Sequence, residues 1–431
     1  MAADFKPLTK ALIVVVTFMT FAPVSADDWP QWRGPNRDGI SKETGLLTEW
    51  PKDGPKLLWQ VKDLGGGYAT PSVAVGRIFL MSSKGVDEES VKALDVKDGS
   101  TIWSARIGKV GNPNQQPNYP AARSTPTVDG AMVYCLGSDG DLACLDAQNG
   151  KVQWQKGLRT DFGGKPGIWA YAESPLIDGD VLVCTPGGAD ATVVALDKKS
   201  GNVVWKCAVP GGDAAGYASV VVTDAGGVKQ YVAYTAGGLV GVDAKTGKFL
   251  WRYDKTKGPM GMSILTPVAH EGLIYSGSAG RGGGGGGAVR LTADGGAVTA
   301  EQVYFDTKLP TAIGGAVLAG DYLYGSGGQT LLCADFKTGQ IKWSDRSAAP
   351  GALCYADGRL YLHGESGVVA LVEATPDAYR ERGRFTPPNP PQRLNGMEKA
   401  WAYPVIANGK LYVRDTDSLW CYDISNSGKT D

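Results

Sequence analysis

The sequence has 431 residues, and its 43 Lys and Arg against 44 Asp and Glu leave a formal net charge of -1. This balance argues against a basic face for nucleic acid and against an acidic face for cationic partners. The chain has 61 Gly and 25 Pro but only 20% charged residues. Short Val, Ile, Leu and Tyr runs alternate with Gly-rich turns, a pattern that predicts an all-β fold.

The first 26 residues have the three parts of a secretory signal peptide. Lys6 and Lys10 precede an apolar stretch over 11–24, and small residues follow at 24–26. We expect cleavage after Ala26 and a periplasmic or secreted product. The apolar stretch is shorter than the roughly 20 residues of a spanning helix, so we expect no transmembrane segment. The first cysteine is Cys135, far from the cleavage site, so we do not expect a lipoprotein.

An eleven-residue phrase with a fixed Asp, Gly and Trp occurs five times in the chain. The copies are Ala93–Trp103, Cys144–Trp154, Ala195–Trp205, Gly241–Trp251 and Cys333–Trp343. The Asp can bond the backbone ahead of it, and the Gly supplies the positive φ of a tight turn. The Trp offers a large flat face for packing between modules. The phrase therefore predicts a strand, a turn and a second strand.

A second hairpin precedes the phrase, with a Pro at or just before its first strand. These Pro-containing starts are 70–73, 125–128, 174–177 and 266–268. Each unit is therefore predicted to be a sheet of four antiparallel strands. Such a sheet cannot bury both faces alone, whereas copies stacked around an axis can.

The spacing of the repeats predicts eight blades. The interval from Asp243 to Asp335 is twice the one before it, and Asp423 follows after another double interval, so a degenerate copy is expected in each. The last copy lacks its Trp strand, whereas 57–60 form a Trp strand without a preceding turn. We therefore expect a propeller over 57–424, closed by an N-terminal strand. A 27–56 extension precedes it and a 425–431 tail follows it.

These phrases resemble the tryptophan-docking repeats of the pyrroloquinoline-quinone-like (PQQ-like) propellers. That family includes BamB-type outer-membrane assembly proteins and, more distantly, quinoprotein alcohol dehydrogenases. The resemblance extends over about residues 57–424 and implies the eight-bladed fold. The segment Trp29–Pro35 looks like the opening of a secreted bacterial branch of the family. Function transfers less securely than fold in such families.

The enzymes of this family would imply a quinone in the central funnel, a Ca²⁺ ion, a catalytic Asp and a disulfide between adjacent cysteines. No two cysteines are adjacent here, and no cofactor ligand can be matched residue by residue. Two histidines, His270 and His363, are far apart in the chain, which argues against a metal site built on paired histidines. We therefore assign no catalytic, cofactor-binding or metal residue.

Seven cysteines in an exported chain raise the question of disulfides. Cys144 and Cys333 occupy a slot that Ala93 and Ala195 hold in sibling repeats, which indicates small core residues. If Asp139 and Gly140 form a two-residue turn, Cys135 faces Cys144 and a cross-strand disulfide can form. A three-residue turn with a bulge would break that register, so both interpretations stay open.

Two segments interrupt the repeat, the glycine run at 280–287 and the Pro-rich stretch Phe385–Gln392. The glycine run contains a GxGxxG pattern, but it has no strand-to-helix context, so a flexible loop is the better interpretation. We expect both insertions on the outside of the propeller, mobile or extended.

Loops that lead into innermost strands, and loops between second and third strands, share one face of a propeller. The first set contains Tyr68, Arg123, Trp169, Tyr171, Glu173 and Tyr217, and the second contains the glycine run, His363, Glu365, Arg414 and Asp415. These residues are either ordinary solvated loop residues or the lining of a pocket for a peptide, a sugar or a small ligand.

The leading functional hypothesis is a monomeric, non-enzymatic binding or scaffolding propeller in the cell envelope. Its partner would be an unidentified protein or small ligand at the propeller face, with no nucleic acid. The alternatives are a PQQ- and Ca²⁺-dependent oxidoreductase and a carbohydrate- or peptide-binding module.

Overall fold

The computed structural model describes Met1 and residues 28–115, 120–279, 284–311, 313–348, 350–393 and 398–426. Most of the predicted signal peptide, the first half of the glycine run and the end of the predicted tail lie outside the described residues. Within these ranges the chain is nearly all strand and turn, with one short helix, α1 (Leu158–Phe162), and one 3₁₀ turn (Pro259–Gly261). None of the described helical segments has the length and apolar character of a membrane span.

In the described part of the chain thirty-two strands form eight antiparallel sheets of four, which confirms the predicted eight-bladed propeller. Blades 1 to 4 consist of β2 (Ser72–Ala74), β3 (Arg77–Lys84), β4 (Glu88–Asp95) and β5 (Thr101–Gly108); β6 (Thr127–Asp129), β7 (Met132–Leu136), β8 (Asp141–Asp146) and β9 (Val152–Gly157); β10 (Leu176–Asp178), β11 (Val181–Cys184), β12 (Val193–Asp197) and β13 (Val203–Cys207); and β14 (Val221–Ala225), β15 (Val228–Thr235), β16 (Gly238–Asp243) and β17 (Phe249–Tyr253).

Blades 5 to 7 continue the same order, and blade 8 takes its fourth strand from the N-terminal side of the chain. They consist of β18 (Val268–His270), β19 (Leu273–Ser278), β20 (Gly285–Asp294) and β21 (Ala297–Asp306); β22 (Ala316–Ala319), β23 (Tyr322–Gly327), β24 (Thr330–Asp335) and β25 (Ile341–Asp345); β26 (Gly351–Ala356), β27 (Arg359–Gly364), β28 (Val369–Glu373) and β29 (Glu381–Phe385); and β30 (Val405–Ala407), β31 (Lys410–Asp415), β32 (Ser418–Asp423) and β1 (Lys56–Val61).

The N-terminal strand closes the ring as the orphan Trp strand predicts. β1 pairs antiparallel with β32, so that Lys56 lies opposite Asp423 and Val61 opposite Leu419. Both degenerate repeats are complete four-stranded blades, blade 5 and blade 7. Closure joins the two ends of the propeller, which leaves no blade without a neighbour on each side.

The Asp and Gly of the repeated phrase form the predicted turn. In blade 2 the Oδ1 of Asp146 accepts the backbone N–H groups of Gln148 and Asn149 at 2.8 and 3.1 Å. Gly150 follows with φ +74, a conformation that side chains with a Cβ rarely adopt. The other four phrases have their Gly in the same region of φ.

The Trp of a phrase contacts the next blade. The indole N–H of Trp103 in blade 1 donates to the carbonyl of Ala147 in blade 2 at 3.1 Å, and Trp154 bonds Lys198 of blade 3 in the same way. Blade 5 has Tyr304 at this place, and its hydroxyl donates to the carbonyl of Phe336 in blade 6. Hydrophobic packing also joins the blades. Each of the seven hydrophobic clusters among the described residues combines side chains from neighbouring blades.

The structure contradicts the cross-strand disulfide. Cys135 lies opposite Ala143 and Cys144 lies opposite Tyr134, so the two cysteine side chains point to opposite faces of the sheet. Both thiols are free and buried. The reason is the turn, since Gly137 and Asp141 are joined by a backbone hydrogen bond and three residues lie between them. All seven cysteines are free and buried.

The second half of the glycine run is also not the loop we expected. Gly285, Gly286 and Gly287 begin β20 and pair with Ser278, Gly277 and Ser276 of β19. The lack of side chains lets neighbouring groups approach closely, since a Cβ on Gly286 would lie 2.0 Å from the hydroxyl of Tyr275. The Pro-rich stretch begins at Phe385, the last residue of β29, and is mostly exposed after it. Its Pro388 carbonyl accepts the indole N–H of Trp420 at 2.9 Å.

Residues 28–41 form a segment, here called the N-terminal plug, that lies against the innermost strands. Its backbone bonds β2 through Trp29 and Val73, and β6 through Pro30 and Val128, at 2.7–2.8 Å. Farther along, the backbone of residues 39–41 bonds Tyr355 of β26 at 2.8 Å. Because innermost strands surround the propeller axis, a segment that contacts so many of them must fill the central channel.

Two buried arginines hold the plug in place. Arg33 donates to the carbonyl of Ala316 in blade 6. Arg37 donates to the carbonyls of Ser174 and Pro175 in blade 3, at 2.8 and 3.0 Å. Burial lowers the pKa of Arg37 to about 9, and the nearby Glu173 opposes this shift. The predicted extension is therefore part of the propeller core.

Candidate functional site

A cavity of about 510 Å³ lies at the channel mouth above the plug. Residues from the plug and from all eight blades line it: Trp32, Tyr68, Arg123, Trp169, Ala172, Tyr217, Met262, Ile264, Ala279, Thr311, Ile313, Gly328, Gln329, Pro350, Glu365, Trp401 and Tyr403. Most of them precede an innermost strand, where the chain enters a blade. Because the plug fills the channel, the cavity is open at one end and closed at the other.

Three aromatic pairs form much of the lining. Trp169 and Tyr217 of blades 3 and 4 have ring centres 5.7 Å apart. Tyr68 and Trp401 of blades 1 and 8 are 4.9 Å apart. The third pair joins Trp32 of the plug to Tyr403 of blade 8, at 4.6 Å. Such edge-on and tilted pairs hold each other in place and offer flat apolar surfaces to a ligand.

Hydrogen bonds fix the orientation of these rings. The hydroxyl of Tyr68 donates to Glu398 at 3.0 Å, and that of Tyr403 donates to the carbonyl of Ile313 at 2.6 Å. The indole N–H of Trp32 donates to the hydroxyl of Thr266 at 2.9 Å. A lining with partners of this kind is pre-organised, so that a ligand need not order it.

Arg123 and Glu365 supply the charge of the cavity. Among the described lining residues Arg123 is the single basic side chain and Glu365 the single acidic one. Arg123 donates to Gln115 at 3.1 Å, and its guanidinium carbon lies 5.3 Å from the ring centre of Tyr68. Burial lowers the pKa of Arg123 and raises that of Glu365. Both shifts reflect an environment with little water.

The structure brings five of the nine predicted site residues into one lining: Tyr68, Arg123, Trp169, Tyr217 and Glu365. Residues from both predicted loop sets meet there, as the propeller geometry requires. The other four, Glu173, His363, Arg414 and Asp415, are buried and do not line the cavity. Tyr171 is also buried, and its hydroxyl donates to the carbonyl of Pro186.

The four residues outside the lining have contacts within or between blades. Arg414 of blade 8 donates to the carbonyls of Ala69 and Met81, which belong to blade 1 and the loop before it, at 2.9 and 2.8 Å. Asp415 forms an ion pair with Arg393 at 2.7 Å. His363 has its Nδ1 3.0 Å from the carbonyl of Ala402, and burial lowers its pKa. Glu173 accepts the backbone N–H of Thr185.

Sequence reasoning missed several lining residues that it could have found. Trp401 and Tyr403 stand just before Pro404, and Met262 and Ile264 stand just before Pro267, so the rule that selected Tyr68 also applies to them. No such signal existed for Trp32. Its position depends on the insertion of the plug into the channel, which no local pattern predicts.

Comparison with known proteins places this architecture in a family. The family model described as outer membrane protein assembly factor BamB matches residues 39–167 and 87–345, more than half of the chain. The chain belongs to this family. The two matched ranges overlap, as expected for a repeat protein whose units resemble one another.

Curated relatives carry two different descriptions. The outer membrane protein assembly factor BamB of Moranella endobia is 26% identical over 172 residues, which are 38% of this chain and 40% of that protein. The quinoprotein alcohol dehydrogenase PedH of Pseudomonas putida is 26% identical over 272 residues, 59% of this chain and 42% of that protein. The match thus spans less than half the length of each relative.

A solved structure shares the fold. The crystal structure of BamB from Moraxella catarrhalis has a TM-score of 0.59 at 15% identity, covering 89% of this chain and 99% of that chain.

The quinone and Ca²⁺ of the enzyme relatives can be tested against the lining residues. Ca²⁺ takes six to eight oxygen ligands from carboxylates, carbonyls and water, and the carboxylates supply the negative charge that balances the ion. Glu365 is the one carboxylate among the described lining residues, and the described part of the chain contains no cluster of three or more His, Cys, Asp or Glu suited to a metal ion. A single Arg123 also gives little charge for a ligand with several carboxylates. The donor set does not fit this cofactor pair, and we derive no reaction from it.

Proposed function

We propose that this protein is an exported binding propeller of the cell envelope that holds a ligand in the channel-mouth cavity and does not catalyse a reaction on it. The observation that carries the proposal is the cavity itself, which is closed on the channel side and lined by three aromatic pairs. Ligand sites are typically concave and mostly apolar, with a few placed polar groups. Arg123, Gln329 and Glu365 are such groups here.

Two further observations support a place in the envelope. The matching family model is described as an outer membrane protein assembly factor, and the first 26 residues have the pattern of a signal peptide. We therefore propose that the propeller acts after export, as a binding or scaffolding component. The bound partner would be a protein segment or a small ligand.

The competing proposal is an oxidoreductase that uses a quinone and Ca²⁺. The observation in its favour is the similarity to a quinoprotein alcohol dehydrogenase over 59% of this chain. The lining residues favour binding instead, since they offer one carboxylate and one cation.

The test is a thermal-shift screen of the purified protein with short peptides, saccharides and the quinone with Ca²⁺. Each ligand is measured on the unaltered protein and on Ala172→Trp, which puts a large ring into the cavity. Ala297→Trp is the matched control, because Ala297 is exposed on β21, away from the lining. We expect at least one peptide or saccharide to raise the melting temperature of the unaltered and Ala297→Trp proteins but not of Ala172→Trp.

Two results contradict the proposal. If every ligand that raises the melting temperature does so equally in Ala172→Trp, or if none raises it, the cavity is not the binding site we propose. If the quinone with Ca²⁺ binds stoichiometrically and oxidises an alcohol in the presence of an electron acceptor, the oxidoreductase is correct.

A further inference from the structure

We infer that the ligand of the channel-mouth cavity is an organic acid with one carboxylate attached to an apolar group, held at Arg123. This inference rests on the proposed function and adds the chemical class of the ligand. The carboxylate would come either from the C-terminal residue of a polypeptide or from a free small acid.

The first argument is the position of Arg123 between two aromatic pairs. Arg123 belongs to the loop that leads into blade 2. The Tyr68–Trp401 pair lies on its blade 1 side and the Trp169–Tyr217 pair on its blade 3 and 4 side. A guanidinium is the side chain best suited to bind a carboxylate through paired N–H donors. Flat rings on both sides favour an apolar group next to that carboxylate.

The wall of the cavity across from the guanidinium is mostly apolar. Blades 5 and 6 contribute Met262, Ile264 and Ile313, together with the polar side chains of Thr311 and Gln329. Burial of an apolar group against such a wall stabilises the complex by about 25 cal/mol for each Å² removed from water. The described lining of the cavity therefore has its one cation on the side of Arg123 and a mostly apolar wall across from it, which suits a carboxylate with an apolar body.

Glu365 limits the number of negative charges on the ligand. It is in the loop between β27 and β28 of blade 7, and it lines the same cavity. A second carboxylate on the ligand would find no second basic side chain among the described lining residues and would meet this acidic one. Like charges in a poorly hydrated site disfavour each other. A monocarboxylate fits this balance.

The plug limits how a polypeptide could enter the cavity. Trp32 and the rest of the plug close the cavity on the channel side, where Arg33 and Arg37 fix the plug to blades 6 and 3. A chain therefore cannot pass through the propeller along its axis and would insert an end. Since the C-terminal end carries a carboxylate, it is the end that matches Arg123.

Isothermal titration calorimetry on the full chain tests the inference with three probes. They are the peptide Gly-Ser-Gly-Ser-Phe with a free C-terminal carboxylate, the same peptide as its C-terminal amide, and naphthoate. The amide lacks the negative charge and keeps the apolar group. Because a hydrogen bond to a charged group contributes about 1.5–3 kcal/mol, we expect the amide to bind at least about tenfold more weakly than the free acid.

Two variants locate the effect. Arg123→Gln should lower the affinity for the free acid to that of the amide and leave the amide unchanged. Arg290→Gln is the matched control, since Arg290 is exposed on β20, and it should bind like the unaltered protein. If Arg123→Gln does not fold, the comparison of acid and amide on the unaltered protein still tests whether binding needs the carboxylate. Ala172→Trp still tests whether the ligand binds in the cavity.

The outcomes separate this inference from the proposed function. Binding of naphthoate but not of the peptide acid supports the inference and identifies a small acid as the source, whereas binding of the peptide acid identifies a chain terminus. Equal affinity for acid and amide overturns the inference, as does an unchanged acid affinity in Arg123→Gln. If neither acid binds while another ligand still depends on Ala172, the inference fails and the proposed function stands.

Discussion

Glu89 and Glu173 are carboxylates buried in the walls of the propeller. Glu89, at 0% exposure in β4 of blade 1, accepts the backbone N–H of Ser138 at 2.6 Å and its hydroxyl at 3.0 Å, and so joins blade 1 to blade 2. Burial raises the pKa of each carboxyl from its ordinary 4.5 to about 7. The hydrogen bonds from Ser138 to Glu89 and from Thr185 to Glu173 oppose this shift. Desolvation therefore outweighs hydrogen bonding at both sites.

The raised pKa of Glu89 predicts a pH-dependent stability. Between about pH 4.5 and 7 the folded state holds a proton that the unfolded state has released, so stability falls as pH rises through this window. Because one pKa unit corresponds to 1.36 kcal/mol, the contribution of Glu89 is at most roughly 3 kcal/mol. Glu89→Gln is neutral at every pH and should be more stable than the unaltered protein at pH 8, with a flatter decline in melting temperature between pH 4.5 and 8.

The control for this prediction is Glu49→Gln, which alters an exposed carboxyl. It should keep the slope of the unaltered protein. Glu173 has the same direction of shift, so part of the slope should remain in Glu89→Gln. A slope in Glu89→Gln as steep as that of the unaltered protein would show that Glu89 is ionised when folded.

At the scale of the element, the repeated phrase explains how neighbouring blades hold together. The Gly of each phrase lies under the ring of the preceding blade, since a Cβ on Gly150 would be 2.6 Å from the indole of Trp103. The same approach occurs between Gly247 and Trp205 at 2.6 Å. Glycine is thus required at these turns both for its positive φ and for the space that the Trp occupies.

This arrangement predicts different costs for two glycine substitutions in blade 2. Gly150→Ala meets both a strained φ of +74 and the indole of Trp103, and it should lower the free energy of unfolding by about 2–4 kcal/mol. Gly130→Ala has a φ of +57 and open space around its Cβ, so it should cost about 1 kcal/mol. Urea denaturation midpoints measure the two values. An equal decrease in the free energy of unfolding for both variants would contradict the prediction, because it would mean that Trp103 can move away from the new methyl group without losing stability.

At the scale of the whole molecule, two N-terminal segments complete the ring. β1 supplies the outer strand of blade 8, and the plug fills the channel and joins blades on opposite sides of the axis. The plug also forms the floor of the cavity. Without the plug, the cavity would continue into the central channel. The plug and β1 are therefore needed both for stability and for the candidate site.

Two tryptophans of the plug, three residues apart, allow this role to be measured. Trp29 is 1% exposed and packs in the core near Val73, so Trp29→Ala should lower the free energy of unfolding by about 3–5 kcal/mol. Trp32 is partly exposed in the cavity, so Trp32→Ala should cost less than about 2 kcal/mol and weaken ligand binding instead. Calorimetric melting and ligand titration of both variants provide the comparison. A larger loss of stability in Trp32→Ala would contradict the assignment of the two roles.

Much of the candidate site could be predicted, but not all of it. Tyr68, Arg123, Trp169, Tyr217 and Glu365 follow from the rule that certain loops meet at one face, and the structure brings them together. The same rule also selected His363 and Arg414, which are buried behind the lining. The loop position alone does not tell whether a side chain points to the axis or into the neighbouring blade, since that depends on packing.

The sequence by itself determined the eight blades, their four strands and the closing strand. The same turn residues recur in each copy of the phrase, so the blades can be counted from the sequence. The two double intervals reveal the degenerate copies, and the orphan Trp strand reveals the closing strand. Only the tertiary structure decided the register at Cys135 and Cys144, the strand at 285–287 and the plug. The physical reason differs between them: the first two depend on where a local turn places the register, which the turn residues leave open, and the plug depends on contacts between segments far apart in the chain. Arg33 and Arg37 look like loop residues until the channel surrounds them.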